Sequence, residues 1–291
     1  MEGKIVKIQT PKKFLLDGIF FGSPKAKNVI IFIHGLGSNL FSQAELAERL
    51  VDKNNSVLLF NNRGSGVLSR ISQVDKKEKS GRKKHLIGMA KEVFTDCVDD
   101  IDGAVRFVES LGSKNILLIG HSTGTQKSVY YLSKRKNKNI KSAILLAPMS
   151  DFADTYAFTD RKIYNKAVRF AKKMVKDGKG DVFLPKKIWH YLIDAQRFLS
   201  LFTPESVEEI FSYASEKSPK ILKSVKLPLL IVLAEEDDYK DREISKIAEW
   251  FTRELEGKNA EIFTLKGTPH NFQGFAKELE KKIKAWINKV N

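Results

Sequence analysis

The sequence predicts an α/β fold: a doubly wound, mostly parallel sheet of eight strands with a helical cap inserted late in the chain. Three observations carry that prediction. Short apolar runs alternate with longer segments of helical periodicity, the pattern of repeated strand–helix units. Six of the runs are apolar almost throughout, as strands covered on both faces of a parallel sheet must be. The alternation lapses between residues 151 and 226 and then resumes.

Residues 4–8 and 14–21, the latter turned at Asp17-Gly18, form an expected opening pair of strands. The six apolar strands follow at 28–33 (NVIIFI), 56–60 (SVLLF), 115–119 (NILLI), 142–146 (SAILL), 229–233 (LLIVL) and 260–265 (AEIFTL). Helical patterns occupy 42–53, 88–111, 123–136, 241–256 and 272–290. In the second of these, Phe94, Cys97, Val98, Ile101, Ala104, Val105 and Val108 repeat at spacings of three and four, so Cys97 reads as a small core residue. Three helix-like pieces fill the lapse, at 161–176, 186–201 and 204–214. Ile188, Tyr191, Leu192, Ala195, Phe198 and Leu199 lie along one stripe of the second piece, placed to roof a pocket at the sheet edge. So short a helical stretch makes a marginal core alone. Residues 151–226 are therefore expected to be a cap on a core built from 1–150 and 227–291.

With 291 residues the chain can bury the core of one large α/β domain. Its 42% hydrophobic and 30% charged composition excludes disordered and collagen-like classes. A single cysteine excludes an intramolecular disulfide framework and a cysteine-based zinc site. The opening residues have no apolar run or small-residue cleavage site of a signal peptide. The longest clean apolar run, 227–234, falls far short of the roughly 20 residues of a membrane span. A cytoplasmic protein without a transmembrane segment is expected. The net charge is +16, and 40 of the 51 basic residues are lysine. The basic clusters at 76–84, 134–141 and 277–289 lie apart and lack interleaved aromatics, so they read as solvated surface and no nucleic-acid partner is expected.

The chemistry is carried by Gly120-His121-Ser122-Thr123-Gly124, which fits G-x-S-x-G. The strand NILLI ends just before it and an amphipathic helix starts just after Ser122. A serine on such a turn projects its hydroxyl above the sheet, and glycines two residues either side remove side chains that would clash there. The helix N-terminus adds a favourable dipole for developing negative charge.

A serine hydroxyl needs a base to take its proton. Of the five histidines, His121 neighbours the serine but is expected to point elsewhere, His85 lies in a lysine-rich loop and His190 in the cap. His270 follows the last strand, at the carboxyl edge where ligands collect in open α/β sheets, and is the candidate general base. The base needs an orienting acid. Glu235, Glu236, Asp237 and Asp238 follow the strand LLIVL; Asp237 is preferred and Asp238 is the alternative. The backbone amides of Thr123 and of Leu36, in the loop His34-Gly35-Leu36-Gly37, are candidates for binding an oxyanion.

Together these features resemble the α/β-hydrolase superfamily over nearly the whole chain: HGLG at 34–37, NNRGSG at 61–66, GHSTG at 120–124, Asp237 and His270. Asn62 stands where that family's D-x-R-G-x-G turn has aspartate, and Ala234 where G-x-x-D has glycine. GHSTGTQ, ILLAPMSD and RFLSLFTP are similar to a branch that contains fungal siderophore esterases, although His34 replaces a glycine of that branch. The resemblance implies a serine hydrolase acting on a small-molecule carboxylic ester through an acyl-enzyme, with Ser122, Asp237 and His270 as the triad. A thioesterase, peptidase or acyltransferase on the same triad is the alternative within enzymes, and a binding protein that keeps the fold without turnover is the alternative outside them. No cofactor or metal is implied, since no H-E-x-x-H or similar ligand spacing is present.

Overall fold

Apolar runs that cannot remain in water pair edge to edge, and here all six join one sheet with the opening pair of strands. The computed structural model describes residues 2–215 and 217–290. Its strands are β1 (Gly3–Gln9), β2 (Leu15–Phe21), β3 (Asn28–Ile33), β4 (Asn55–Phe60), β5 (Ser69–Val74), β6 (Arg82–Ile87), β7 (Ile116–His121), β8 (Ile140–Leu146), β9 (Leu229–Glu236) and β10 (Ala260–Pro269). The large sheet has the order β1-β2-β4-β3-β7-β8-β9-β10. β1 and β2 are antiparallel, as are β2 and β4, and every other pairing is parallel.

The helices are α1 (Ala44–Leu50), α2 (Cys97–Ser110), α3 (Thr123–Lys134), α4 (Asp151–Phe158), α5 (Arg161–Lys176), α6 (Ala195–Phe202), α7 (Lys220–Ser224), α8 (Ile244–Glu254) and α9 (Ala276–Val290). β3, β4 and β7 are buried at every position because both sheet faces are covered. Val29, Ile31 and Ile33 of β3 belong to one core with Ile101 and Val105 of α2, Val129 of α3 and Phe251 of α8. Ile30 and Phe32 point the other way, to Leu46 and Leu50 of α1 and Ile283 and Trp286 of α9. This is the alternation of a strand read out as two cores. Cys97 is buried in the first of them.

Three segments depart from the sequence expectation. The helix expected from residue 88 begins only at Cys97, after one 3-10 turn at Phe94–Asp96. Residues 88–90 instead lie alongside 66–67, with Met89 N–H donating to Gly66 O and Ala90 N–H to Val67 O. Gly88, at φ +112°, sets that path. The lysine-rich stretch read as a loop is part of the antiparallel hairpin β5–β6, whose register pairs Val74 with Arg82. Arg82, Lys83 and Lys84 open β6 in a row of exposed charges, so no apolar period marks it.

The third departure is in the segment between β8 and β9. The piece expected over 186–201 is helical only as α6, because Asp194 accepts from Arg197 N–H and starts the helix there. The apolar stripe splits accordingly: Ile188, Ala195 and Phe198 are buried with Trp189, whereas Tyr191 and Leu192 are exposed. The stretch 204–214 is a series of turns rather than a helix. α4 and the short α7 were not foreseen; Ser150 caps α4 by accepting from Ala153 N–H.

This segment is fastened to the rest by buried charge. Glu92 lies 2.6 Å from Lys127 of α3 and 3.0 Å from Arg197 of α6, and Arg197 also pairs with Glu208. Burial pushes the Glu92 carboxyl up, but the two cations outweigh it and hold it below the usual range. Removing one member of such a buried set leaves another charge unpaired, which is far costlier than losing an exposed pair.

Candidate active site

Four loops leave the carboxyl ends of parallel strands and meet: His34–Gly37 after β3, Ser122 after β7, Asp237 after β9 and His270 after β10. Ser122 sits at φ 54° and ψ −130°, a conformation that L-residues adopt only at a cost of about 1–3 kcal/mol. The surrounding bonds enforce it. Ser122 N–H donates to Leu146 O at 3.0 Å, and Ser122 O accepts from Thr125 N–H at 2.8 Å.

The glycines around the serine are required by close approach. A Cβ on Gly124 would stand 2.1 Å from Ile33 O, one on Gly120 would stand 2.4 Å from Gly124 O, and one on Gly35 would stand 2.8 Å from Ser122 Cβ. Gly124→Ala is therefore expected to destabilise the fold by about 3 kcal/mol or to displace the turn, since backbone cannot move aside as a flexible side chain can. Chemical denaturation measures this, and a loss below about 0.5 kcal/mol with unchanged activity would disprove the packing argument.

His270 Nδ1–H donates to Asp237 Oδ2 at 2.7 Å. The other Asp237 oxygen accepts from Tyr239 N–H at 2.9 Å, and the residue is 2% exposed. Asp238, its neighbour, is exposed. Ser122, Thr123, Leu36 and His270 line one cavity of ≈ 190 Å³, together with His121, Asp151, Asp154 and Tyr239. All the site residues expected from the sequence thus converge on this pocket or on its histidine. A larger cavity of ≈ 380 Å³, lined by Phe94, Lys172, Leu199 and Thr203 among others, has no histidine among the described residues that line it.

His121 corrects an expectation. It does not point away from the site: its ring lies 5.1 Å from that of His270 and lines the pocket. Burial above all, then the neighbouring His270, pushes it down to about 4, so it is neutral at pH 7. A neutral ring facing a carbonyl must donate, so Nε2–H donates to His270 O at 2.9 Å. His34 is fixed in the opposite tautomer. Its Nδ1–H donates to Gly35 O at 2.9 Å and its Nε2 accepts from Asn62 N–H at 3.1 Å. Burial, then Lys127, pushes His34 down to about 4. His34 thereby ties the loop that carries Leu36 to the turn that carries Asn62.

The sequence reading missed Asp151 and Asp154 on the first turn of α4 and Tyr239 in the loop after β9. The available signal was the position of Asp151, just beyond the carboxyl end of the strand SAILL. Among the described residues, no group of three or more histidine, cysteine or carboxylate side chains is arranged to hold a metal ion. No helix among them is long and apolar enough to cross a membrane.

Comparison with known proteins agrees with this architecture. The siderophore hydrolase EstB of Aspergillus fumigatus superposes with a TM-score of 0.69 at 17% identity, covering 99% of this chain and 98% of that one. An esterase from Pyrococcus furiosus superposes with a TM-score of 0.64 at 18% identity, covering 100% and 92%. In sequence, the chain is 29% identical to fusarinine C esterase sidJ of Aspergillus fumigatus over 35% of its own length. That match spans only 39% of the relative. The fold is that of the α/β hydrolases, and because the family described as "Protein of unknown function (DUF1749)" matches residues 87–291, from the strand end before Gly88 through both loops that carry Asp237 and His270, the chain belongs to that family.

Proposed function

We propose that the chain is a serine hydrolase that cleaves a carboxylic ester through an acyl-enzyme intermediate. One observation carries this reading: a serine on a strained strand–helix turn shares a pocket with a histidine whose Nδ1 is bonded to a buried aspartate. With Nδ1–H directed at Asp237, Nε2 of His270 is left to accept the Ser122 proton. Oγ then forms a bond to the acyl carbon, and the carbonyl π electrons move onto oxygen. The amides of Leu36 and Thr123 are proposed to bind that oxyanion; the Thr123 amide, at the first turn of α3, has no intrahelical acceptor. Each such donor is worth about 3–4 kcal/mol in the transition state. Collapse breaks the bond to the alcohol, which takes the proton from His270, and water repeats the sequence on the acyl-serine.

The names of the relatives, a fusarinine C esterase, a siderophore hydrolase and an esterase, support an ester as substrate. Residues 151–226 act in this reading as a cap, since α4 contributes Asp151 and Asp154 to the pocket wall. Turnover of short acyl 4-nitrophenyl esters, with labelling of the protein by a fluorophosphonate, tests the proposal; absence of both refutes it.

The reading also fixes the direction of the pH profile. A protonated imidazole cannot accept the serine proton, so kcat/KM for a neutral ester is lower in acid than in base. A profile flat from about pH 5 to 9 is incompatible with a histidine base.

A further inference from the structure

Two carboxylates in the pocket have no part in the proposed reaction. Asp151 and Asp154 lie on the first turn of α4 and line the same cavity as Ser122 and His270. One oxygen of Asp151 accepts from Gln126 Nε2 at 3.0 Å. Asp154 is only partly exposed, yet its carboxylate makes no hydrogen bond or ion pair with the described residues. The charged groups that face it are Asp237 and Asp241 from the loop after β9 and His270 from the loop after β10, with the Tyr239 hydroxyl nearby. Those facing Asp151 are Glu208, Arg197, Asp154 and Glu209. Arg197 is already bonded to Glu92 and Glu208.

Among the described residues no lysine or arginine lines the pocket, although the chain as a whole carries a net charge of +16. The general surface field attracts anions, and the pocket reverses it locally. A partly desolvated carboxylate without a partner is costly unless a ligand supplies one. A second polar group beside the cavity has no partner either. Thr123 lines the cavity, is 1% exposed, and its hydroxyl has no hydrogen-bond partner among the described residues.

We infer that this pocket selects esters carrying a positively charged nitrogen close to the scissile bond, anchored by the carboxylate of Asp154. The inference rests on the hydrolase reading above and names its substrate class. Tyr239, half exposed in the pocket wall, adds an aromatic ring suited to a cation. Burial, then Asp237 and Asp241, push Asp154 up to about 6, while burial, then Glu208, pushes Asp151 up to about 8. Asp154 therefore ionises at lower pH than Asp151 and is the anchor, whereas Asp151 holds its proton to higher pH and, when protonated, can donate a hydrogen bond to the same ligand.

The test uses two isosteric pairs, one for each side of the ester. 4-Nitrophenyl 4-(trimethylammonio)butanoate is compared with 4-nitrophenyl 5,5-dimethylhexanoate, and choline butanoate with 3,3-dimethylbutyl butanoate. At pH 7.5 the cationic member of at least one pair should be favoured about tenfold or more in kcat/KM. Asp154→Asn should bring that ratio close to one, and Asp151→Asn should lower it less. In the native protein the ratio should fall towards one between pH 7.5 and 5 as Asp154 protonates. Enzyme without a free base at His270 turns over neither member of a pair, so its share cancels in the ratio of kcat/KM values. Because this pH measurement needs no variant, it holds even if Asp154→Asn fails to fold.

If neither cationic ester is favoured, or the preference survives both Asp154→Asn and acid, the inference is wrong. Calorimetric binding of the same pairs to Ser122→Ala protein reads the preference without turnover. Absence of turnover of short acyl esters together with absence of fluorophosphonate labelling would thus overturn the proposed function, while equal binding within both pairs would overturn the cationic preference.

Discussion

Ser122→Ala is expected to lower kcat on a short acyl ester by about 10⁴-fold or more while leaving the fold intact. Only Oγ is lost, and an alanine can hold the φ of 54° no worse than the serine did, because the strain there belongs to the Cβ that both residues share. What disappears is the proposed nucleophile; the amides of Leu36 and Thr123 and the pocket walls remain. Labelling by a fluorophosphonate should vanish with it, since the phosphorus electrophile is captured by the same activated hydroxyl. Labelling that persists in the variant, or that maps by mass spectrometry to another serine, transfers the chemistry elsewhere.

The second large effect is expected at the acid. Asp237→Asn should reduce kcat by about 10³–10⁴-fold, which corresponds to roughly 4–5.5 kcal/mol of lost transition-state stabilisation. The native carboxylate accepts from His270 Nδ1 at 2.7 Å and from Tyr239 N–H at 2.9 Å. An amide can keep the second bond through its oxygen, but its NH₂ group then faces the ring and favours the tautomer with the proton on Nε2. That tautomer cannot accept the serine proton. Asp238→Asn, an exposed position one residue on, should change kcat less than twofold. Equal losses at the two positions would mean that the loop, and not the bond to His270, is what the substitution disturbs.

The sheet was legible because continuous apolar runs and their turn residues are local properties. NVIIFI, SVLLF, NILLI and LLIVL all became strands buried on both faces. Legibility failed where local preference was weak or charge hid the pattern. β6 reads RKKHLI, whose exposed alternate residues gave no apolar period, so the hairpin was missed. Residues 186–201 had helical spacing throughout, yet only α6 formed, because the Asp194 side chain caps a helix that begins there and the preceding residues are held by Leu184 N–H donating to Ile193 O. Propensity competes with such tertiary bonds and gives way to them.

By itself the sequence determined the α/β class, the turn that presents Ser122, and the placement of candidate residues at the carboxyl ends of strands. These follow from periodicity and from glycine spacing within a few residues of each other. Only the tertiary structure decided that Asp237, and not Asp238, meets His270, residues 33 positions apart in the chain. It also decided that His121 turns towards His270 across 149 positions, and that α4 brings Asp151 and Asp154 to the pocket wall. The physical reason is that adjacent acids share one local sequence but not one degree of burial. A carboxylate is selected as a partner by the packing that excludes water from it and directs it at a donor, and that packing is assembled from strands and helices distant along the chain.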